Sequence, residues 1–466
     1  MDVITINLSN NDNIPLYEQL YNYIKNEIQQ GKIVSNTKLP SKRKLAKHLQ
    51  ISLNTIESAY EQLMAEGYIY SKPKKGFFVS ELDGVIQIKN SKAYINIDSN
   101  KEKVNYKYEF LSSRVDLDSF PYEVWRKISK DIIDIESREF LQIGHSQGEL
   151  NLREAIAKYL YFSRGVACHP NQIVIGAGTE YLLQVLINII GRDNSYGMEN
   201  PGYFKIKRIL NTYGIWANGI ELDNYGVNIE KLNESSVNIM HITPSHQFPL
   251  GIVMPIKRRM QLLTWANEGE NRYIIEDDYD SEFRFGGKPI PALQSLDNNG
   301  RVIYLGTFSK CLAPSMRIGY MVLPESLLEK YKKQFSFYAC TVSRLDQQIL
   351  FKFIEKDYFE KHLNKMRNIY KKKREKLVSL IKNHLNYTEI IGTNAGLHLL
   401  LKVNNGMVES ELIKNAKNKG VKVLGLSNSY MNREECEKKA TIFLGYASLR
   451  EEELEDAILL LKSAWE

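Results

Sequence analysis

At 466 residues, with 43% hydrophobic and 25% charged residues, the chain has an ordinary soluble globular composition and room for two or three domains. Its formal net charge of +7 permits an acidic partner without demanding one. The four cysteines stand far apart with no CxxC pair, which excludes a disulfide framework and a zinc site, so no metal is expected and a reducing cytoplasm is the expected compartment.

The amino terminus, MDVITINLSNND, lacks a basic-then-apolar signal pattern, and no apolar run approaches membrane-spanning length. Residues 15–30 then place Leu16, Leu20, Tyr23, Ile24 and Ile28 on one helical face, with Gly31 as the stop. Ser41 is the expected N-cap of a short helix carrying Leu45, Ala46 and Leu49. A turn at Ile51 and Ser52 separates it from a second helix with Ile56, Ala59, Tyr60, Leu63 and Met64 inward, closed by Gly67. Two short helices across a tight turn predict a helix-turn-helix. The segment SKPKKGFFV then predicts a basic hairpin with Gly76 near its tip, as in a wing. Lys38, Lys42, Arg43, Lys44 and Lys47 fall in ten residues without an acidic one, and Lys72, Lys74 and Lys75 form a second cluster. Clustered cations of this kind suit DNA phosphates.

The stretch LPSKRKLAKHLQISLNTIESAYEQLMAEGYI resembles the winged-helix DNA-binding domain of the GntR family of bacterial regulators. The resemblance implies that Ser41, Arg43, Ser52, Asn54, Thr55, Lys75 and Gly76 face operator DNA, together with Lys42 of the basic cluster. The family's arginine after the turn serine is Leu53 here, so one expected contact differs.

Residues 1–80 are thus read as the DNA-binding domain, 81–107 (polar and weakly patterned) as a linker, and 108–466 as a large α/β domain. Strands are expected at 172–175, 195–198, 237–242, 272–276 and 302–305, with an apolar helix over 181–190. Each strand is followed by a loop rich in Gly, Pro, Asp, Ser or Lys, and Arg317 opens IGYMVL. Such alternation implies a mostly parallel sheet whose loops gather at one edge.

At that edge, Gly178 and Thr179 at a helix amino terminus offer N–H groups to a phosphate. Thr307, Ser309 and Arg317 could complete the cup. Lys310 supplies an amine, Asp277 a carboxylate, Tyr203 a flat face and Tyr279 a phenol. This set describes pyridoxal 5′-phosphate, with the lysine forming a Schiff base and the aspartate keeping the pyridine nitrogen protonated.

Residues 108–466 resemble the fold-type I aminotransferases, and the whole chain resembles the MocR subfamily of GntR regulators, with the GabR-like regulators as the closest likeness. The implied fold is α/β, a winged helix-turn-helix plus an aminotransferase-like domain. By that resemblance Lys310 bears the cofactor, Asp277 faces the ring nitrogen, Tyr279 bonds the ring hydroxyl and Tyr203 stacks. Gly178, Thr179, Thr307, Ser309 and Arg317 hold the phosphate. A homodimer is implied too, each winged helix lying over the other chain's large domain, on the bacterial nucleoid.

The expected effector pocket holds Lys205, His246 and Asn428. Where working aminotransferases place a carboxylate-binding arginine, this chain reads Phe443–Ala447, and lysine does not replace a bidentate clamp. GABA is therefore not the expected effector. The leading expectation is a regulator that senses pyridoxal phosphate itself or an amine or amino acid that reacts with it. The alternatives are an aminotransferase with an accessory DNA-binding domain, and a regulator that keeps the large domain only for dimerisation.

Overall fold

The computed structural model describes residues 6, 8–9, 14–81, 105–133, 135–286, 290–393, 395–432 and 440–466. The expected linker lies outside them except for its ends. The chain divides into two compact units, Met1–Glu102 and Lys103–Glu466.

In the small unit, α1 (Leu16–Gln29) buries Leu20, Ile24 and Ile28. Helix α2 (Lys42–Leu49) is capped by Ser41, whose Oγ accepts from the Lys44 N–H, and ends at Gln50 in the left-handed conformation (φ 55°). Two residues later Ser52 caps α3 (Leu53–Ala65) by accepting from the Thr55 N–H. Two serine caps satisfy orphan amides on either side of the sharp turn, which is why it is so short. Ile56, Ala59, Tyr60 and Leu63 face the core as expected, while Met64 is only partly covered. The wing is β1 (Ile69–Lys72) against β2 (Gly76–Val79), antiparallel with Lys72 opposite Gly76.

In the large unit a short β3 (Tyr108–Glu109) precedes α4 (Tyr122–Ile132) and α5 (Leu150–Arg164). Then come β4 (Ile173–Gly176), α6 (Thr179–Ile190), β5 (Tyr196–Asn200), α7 (Phe204–Thr212), β6 (Asn218–Asp223), β7 (Gly226–Val227), β8 (Ile239–Ile242), β9 (Tyr273–Asp278), β10 (Val302–Thr307) and β11 (Gly319–Val322). The eight strands order as β4-β11-β10-β9-β8-β5-β6-β7. Alternation along β4 sends Ile173 and Ile175 to the core of α5 and Val174 to the core of α6. Helices therefore cover both faces, as a parallel sheet requires.

The expected elements are present with shifted ends. Helix α6 starts at Thr179, two residues early, because Gly178 caps it at φ +86°. Strand β9 runs on through Asp278, so Asp277 and Asp278 project to opposite faces. Strand β11 is antiparallel to both β10 and β4. Residues 308–318 are too few for a helical crossover, so the chain returns directly. That return leaves Arg317 at the edge where β4, β9 and β10 end. A second sheet follows, β12 (Thr388–Ile391), β13 (His398–Val403), β15 (Leu424–Gly425) and β16 (Thr441–Gly445), while β14 (Val421–Lys422) pairs with β3. Among the described residues no helix is long and apolar enough to cross a membrane.

Candidate functional site

A cavity of about 570 Å³ opens at the carboxyl edge of the large sheet, a volume suited to a small molecule. Its wall includes Thr179, Tyr203, Lys205, Asp277, Tyr279, Thr307, Ser309, Lys310, Arg317 and Asn428. Residues spread over some 250 positions of sequence thus meet around one space. Gly178 stands directly behind Arg317. A Cβ at Gly178 would lie 2.7 Å from Arg317 Nη2, so only glycine leaves the guanidinium against the helix amino terminus. His246 is the exception: it is buried behind Tyr279 rather than on the wall. The loop turns its ring inward, toward Asp280.

Lys310 lies three residues beyond β10, partly open to the cavity, and its Nζ donates to the Ser112 carbonyl. Burial pulls its ammonium down to about 8, with Asp280 opposing and Lys205 assisting. Much of this amine is therefore neutral, and nucleophilic, at mildly alkaline pH. Asp277 is buried, and its Oδ2 lies 3.4 Å from His241 Nε2 on β8. On the opposite side of the same strand, Asp278 accepts from Arg164 Nε at 2.7 Å and from the Tyr304 hydroxyl at 2.5 Å. One aspartate thus serves the cavity and its neighbour anchors the sheet to α5.

The Tyr279 hydroxyl lies 3.0 Å from His246 Nδ1, which also lies 3.1 Å from both oxygens of Asp280. The Tyr203 ring is packed edge-on by Phe248 at 5.5 Å, and burial raises its phenol. Thr307 Oγ1 accepts from the Ser309 N–H at 3.1 Å, tying the start of the lysine loop to the end of β10.

Several wall residues were missed in the sequence. Glu180, the last letter of GAGTE, accepts from Arg317 Nη2 at 2.6 Å and from Lys205 Nζ at 3.0 Å. Burial opposes its ionisation, but these two cations override it and hold the carboxyl at about 2. His398 stacks on Phe443 at 4.4 Å and 20°, and its Nε2 lies 3.0 Å from the Pro249 carbonyl oxygen. Burial drives this imidazole down to about 3, so it is neutral at physiological pH. Phe443, on β16, covers the wall where the carboxylate-binding arginine of a working aminotransferase was sought. His246, Asp280 and His398 also bring potential ligand atoms within 4.8 Å of one another, a grouping that cysteine spacing gave no hint of. Tyr279 and the Pro249 carbonyl already engage two of them.

On the small unit, Arg43 and Lys44 near the amino end of α2, Lys47 in its last turn, Asn54 in the first turn of α3, and Lys75 and Gly76 of the wing are exposed. Leu53 is exposed beside them. Ser41 and Ser52 are exposed too, with each Oγ accepting at a helix start, and Ser52 Oγ lies 2.8 Å from Thr55 Oγ1. Lys42 differs. Its Nζ pairs with Glu57 at 2.5 Å and sits over the Phe77 ring, so it ties α2 to α3 instead of standing free beside its basic neighbours.

A model of bacterial regulatory proteins of the gntR family matches residues 16–79, and one of aminotransferases of class I and II matches residues 112–458. The HTH-type transcriptional regulator YdeL of Bacillus subtilis is 43% identical over 463 residues, 99% of each chain. The probable rhizopine catabolism regulatory protein MocR of Rhizobium meliloti is 31% identical over 98% of this chain and 95% of its own. In structure, the large domain is similar to kynurenine aminotransferase of Pyrococcus horikoshii, solved with PMP. Its TM-score is 0.67 and its identity 26%, over 78% of this chain and 91% of that one. Two family matches in series, and relatives that share the full length, place the chain among the MocR-type HTH transcriptional regulators, in which a GntR winged helix precedes an aminotransferase class I and II domain.

Proposed function

We propose that this regulator binds operator DNA through its winged helix and senses, at Lys310, either pyridoxal 5′-phosphate or an amine or amino acid that reacts with it. The observation that carries this reading is Lys310 itself, an amine with a depressed pKa on the wall of a cavity shared with Asp277, Tyr203, Tyr279 and Arg317. The aminotransferase class I and II domain takes pyridoxal phosphate as its cofactor. When bound, the cofactor supplies an aldehyde on an electron-withdrawing ring. The donor set fits it. Arg317, Ser309, Thr179 and the amide groups beside Gly178 would hold the phosphate, Asp277 the ring nitrogen, Tyr203 the ring face and Tyr279 the ring hydroxyl. His241 lies beside Asp277, and Ser112 holds the Lys310 amine against the wall.

The regulator acts as a homodimer on the nucleoid of a bacterial cytoplasm, each winged helix over the other chain's large domain. Two half-sites give the DNA contacts that one small winged helix lacks. Lys205 and Asn428 belong to the effector's side of the cavity, where His398 and Phe443 form an aromatic wall.

Borohydride reduction of the purified, yellow, full-length protein should fix cofactor to the Lys310 peptide, and Lys310→Ala should lose both colour and adduct. The variant should still bind operator DNA while losing the transcriptional response. Covalent cofactor elsewhere in Lys310→Ala refutes the assignment. Turnover of an amino acid and a keto acid by the wild type at ordinary enzyme rates, about 1–1,000 per second, with no cofactor effect on DNA binding, refutes the sensor reading.

A further inference from the structure

Two cations of the cavity, Arg317 and Lys205, already share a partner. Glu180 sits in the first turn of α6, whose amino end attracts anions through its free N–H groups and dipole. Its carboxylate takes both Arg317, at 2.6 Å, and Lys205, at 3.0 Å. Arg317 has one other bond, to the Ala177 carbonyl at 3.1 Å, so Glu180 is its sole anionic partner among the described residues. A phosphate dianion placed against Gly178 and Arg317 meets that carboxylate at the same guanidinium. Like charges so close repel, so each anion weakens the other's hold on the guanidinium.

We infer that Glu180 is a built-in competitor for the cofactor's phosphate, one that lowers the affinity of the site so that its occupancy follows the supply of free cofactor. The inference rests on the reading above, in which Arg317 holds the phosphate. The geometry allows the exchange. Arg317, Lys205 and Glu180 keep side-chain exposures of 48%, 45% and 31%, so the carboxylate can swing off Arg317 without entering an apolar space. Lys205 is its alternative partner and keeps it in the cavity. A neutral side chain of the same shape would leave Arg317 free for the phosphate from the start. A sensor benefits from this arrangement and an enzyme does not, because an enzyme that must stay loaded has no use for a competing anion at its cofactor's anchor.

The test is a binding titration on the full-length protein stripped of cofactor, following absorbance, with pyridoxal 5′-phosphate and with pyridoxal, which lacks the phosphate. Glu180→Gln should bind pyridoxal phosphate roughly tenfold more tightly, the size expected for removing one partly screened charge interaction. Its affinity for pyridoxal should stay within about twofold of wild type. The inhibition constant of inorganic phosphate against pyridoxal phosphate should fall by a similar factor in Glu180→Gln. An unchanged or weakened pyridoxal phosphate affinity in Glu180→Gln overturns the inference, and so does an equal tightening toward pyridoxal. Arg317→Ala separates the two readings. If it weakens pyridoxal phosphate binding while Glu180→Gln does not strengthen it, the phosphate site stands and only the competitor falls. If Arg317→Ala leaves the affinity unchanged, the phosphate is held elsewhere and both fall.

Discussion

Replacing Lys310 by methionine should stabilise the cofactor-free large domain at neutral pH, although it removes the residue on which sensing depends. In the folded domain the Lys310 amine titrates at about 8, against an ordinary 10.5, chiefly because burial disfavours the charged form. The unfolded chain therefore binds more protons than the folded one between about pH 8 and 10.5, and stability rises with pH across that window. Below it the full cost of the desolvated ammonium is present, about 3 kcal/mol at most at pH 7, and within it the cost falls, to about 1.4 kcal/mol at pH 9.5. Water in the cavity screens part of this, since Lys310 is only partly covered. Methionine keeps the unbranched stem but loses the donor to the Ser112 carbonyl, which costs about 1 kcal/mol. The net gain for Lys310→Met is then about 1–2 kcal/mol at pH 7, falling to nearly zero at pH 9.5. Urea unfolding followed by tryptophan fluorescence measures it selectively, because Trp125, Trp216, Trp265 and Trp465 all lie in the large unit. A variant no more stable than wild type at pH 7, or a difference that stays constant with pH, refutes the account of Lys310 as an amine whose charged form desolvation disfavours.

Arg164→Ala strands the Asp278 carboxylate in the sheet, beside Tyr304, and should cost about 3–5 kcal/mol in the same assay. A loss under about 1 kcal/mol would mean that the pair does not anchor α5. On the small unit, neutralising Arg43 or Lys75 should reduce the slope of log binding constant against log salt by about 0.9 for each DNA phosphate that is no longer neutralised. Lys42→Ala should change that slope less, because Lys42 is held by Glu57. Equal slopes for all three variants in a fluorescence-anisotropy salt titration would place Lys42 on the DNA and break the assignment of its ion pair.

What could be read from the chain alone was local. Ser41 and Ser52 shape the helices on either side of the turn between α2 and α3 through bonds that span three residues, so their signals sit side by side in the sequence. The same holds for Lys310 and Tyr279, just past apolar strands, for Asp277, near the end of one, and for Arg317, just before one; those strand ends had to meet once the sheet was mostly parallel. Strand ends moved by one or two residues because pairing with neighbours, rather than composition, decides where a ladder stops.

What the sequence could not show were partnerships between distant positions. Glu180 reads as an unremarked acidic residue in a helix's first turn until β11 returns antiparallel and brings Arg317, 137 residues away, against it. His241 gains meaning only when β8 lies beside β9 and its imidazole reaches Asp277. His246 looked like a pocket residue and is buried behind one, because its loop folds its ring onto Asp280. Residue type and spacing determined the elements, the lysine and the family of chemistry around it. Tertiary folding decided which charges meet, because a charge removed from water must find a partner wherever the packed chain supplies one.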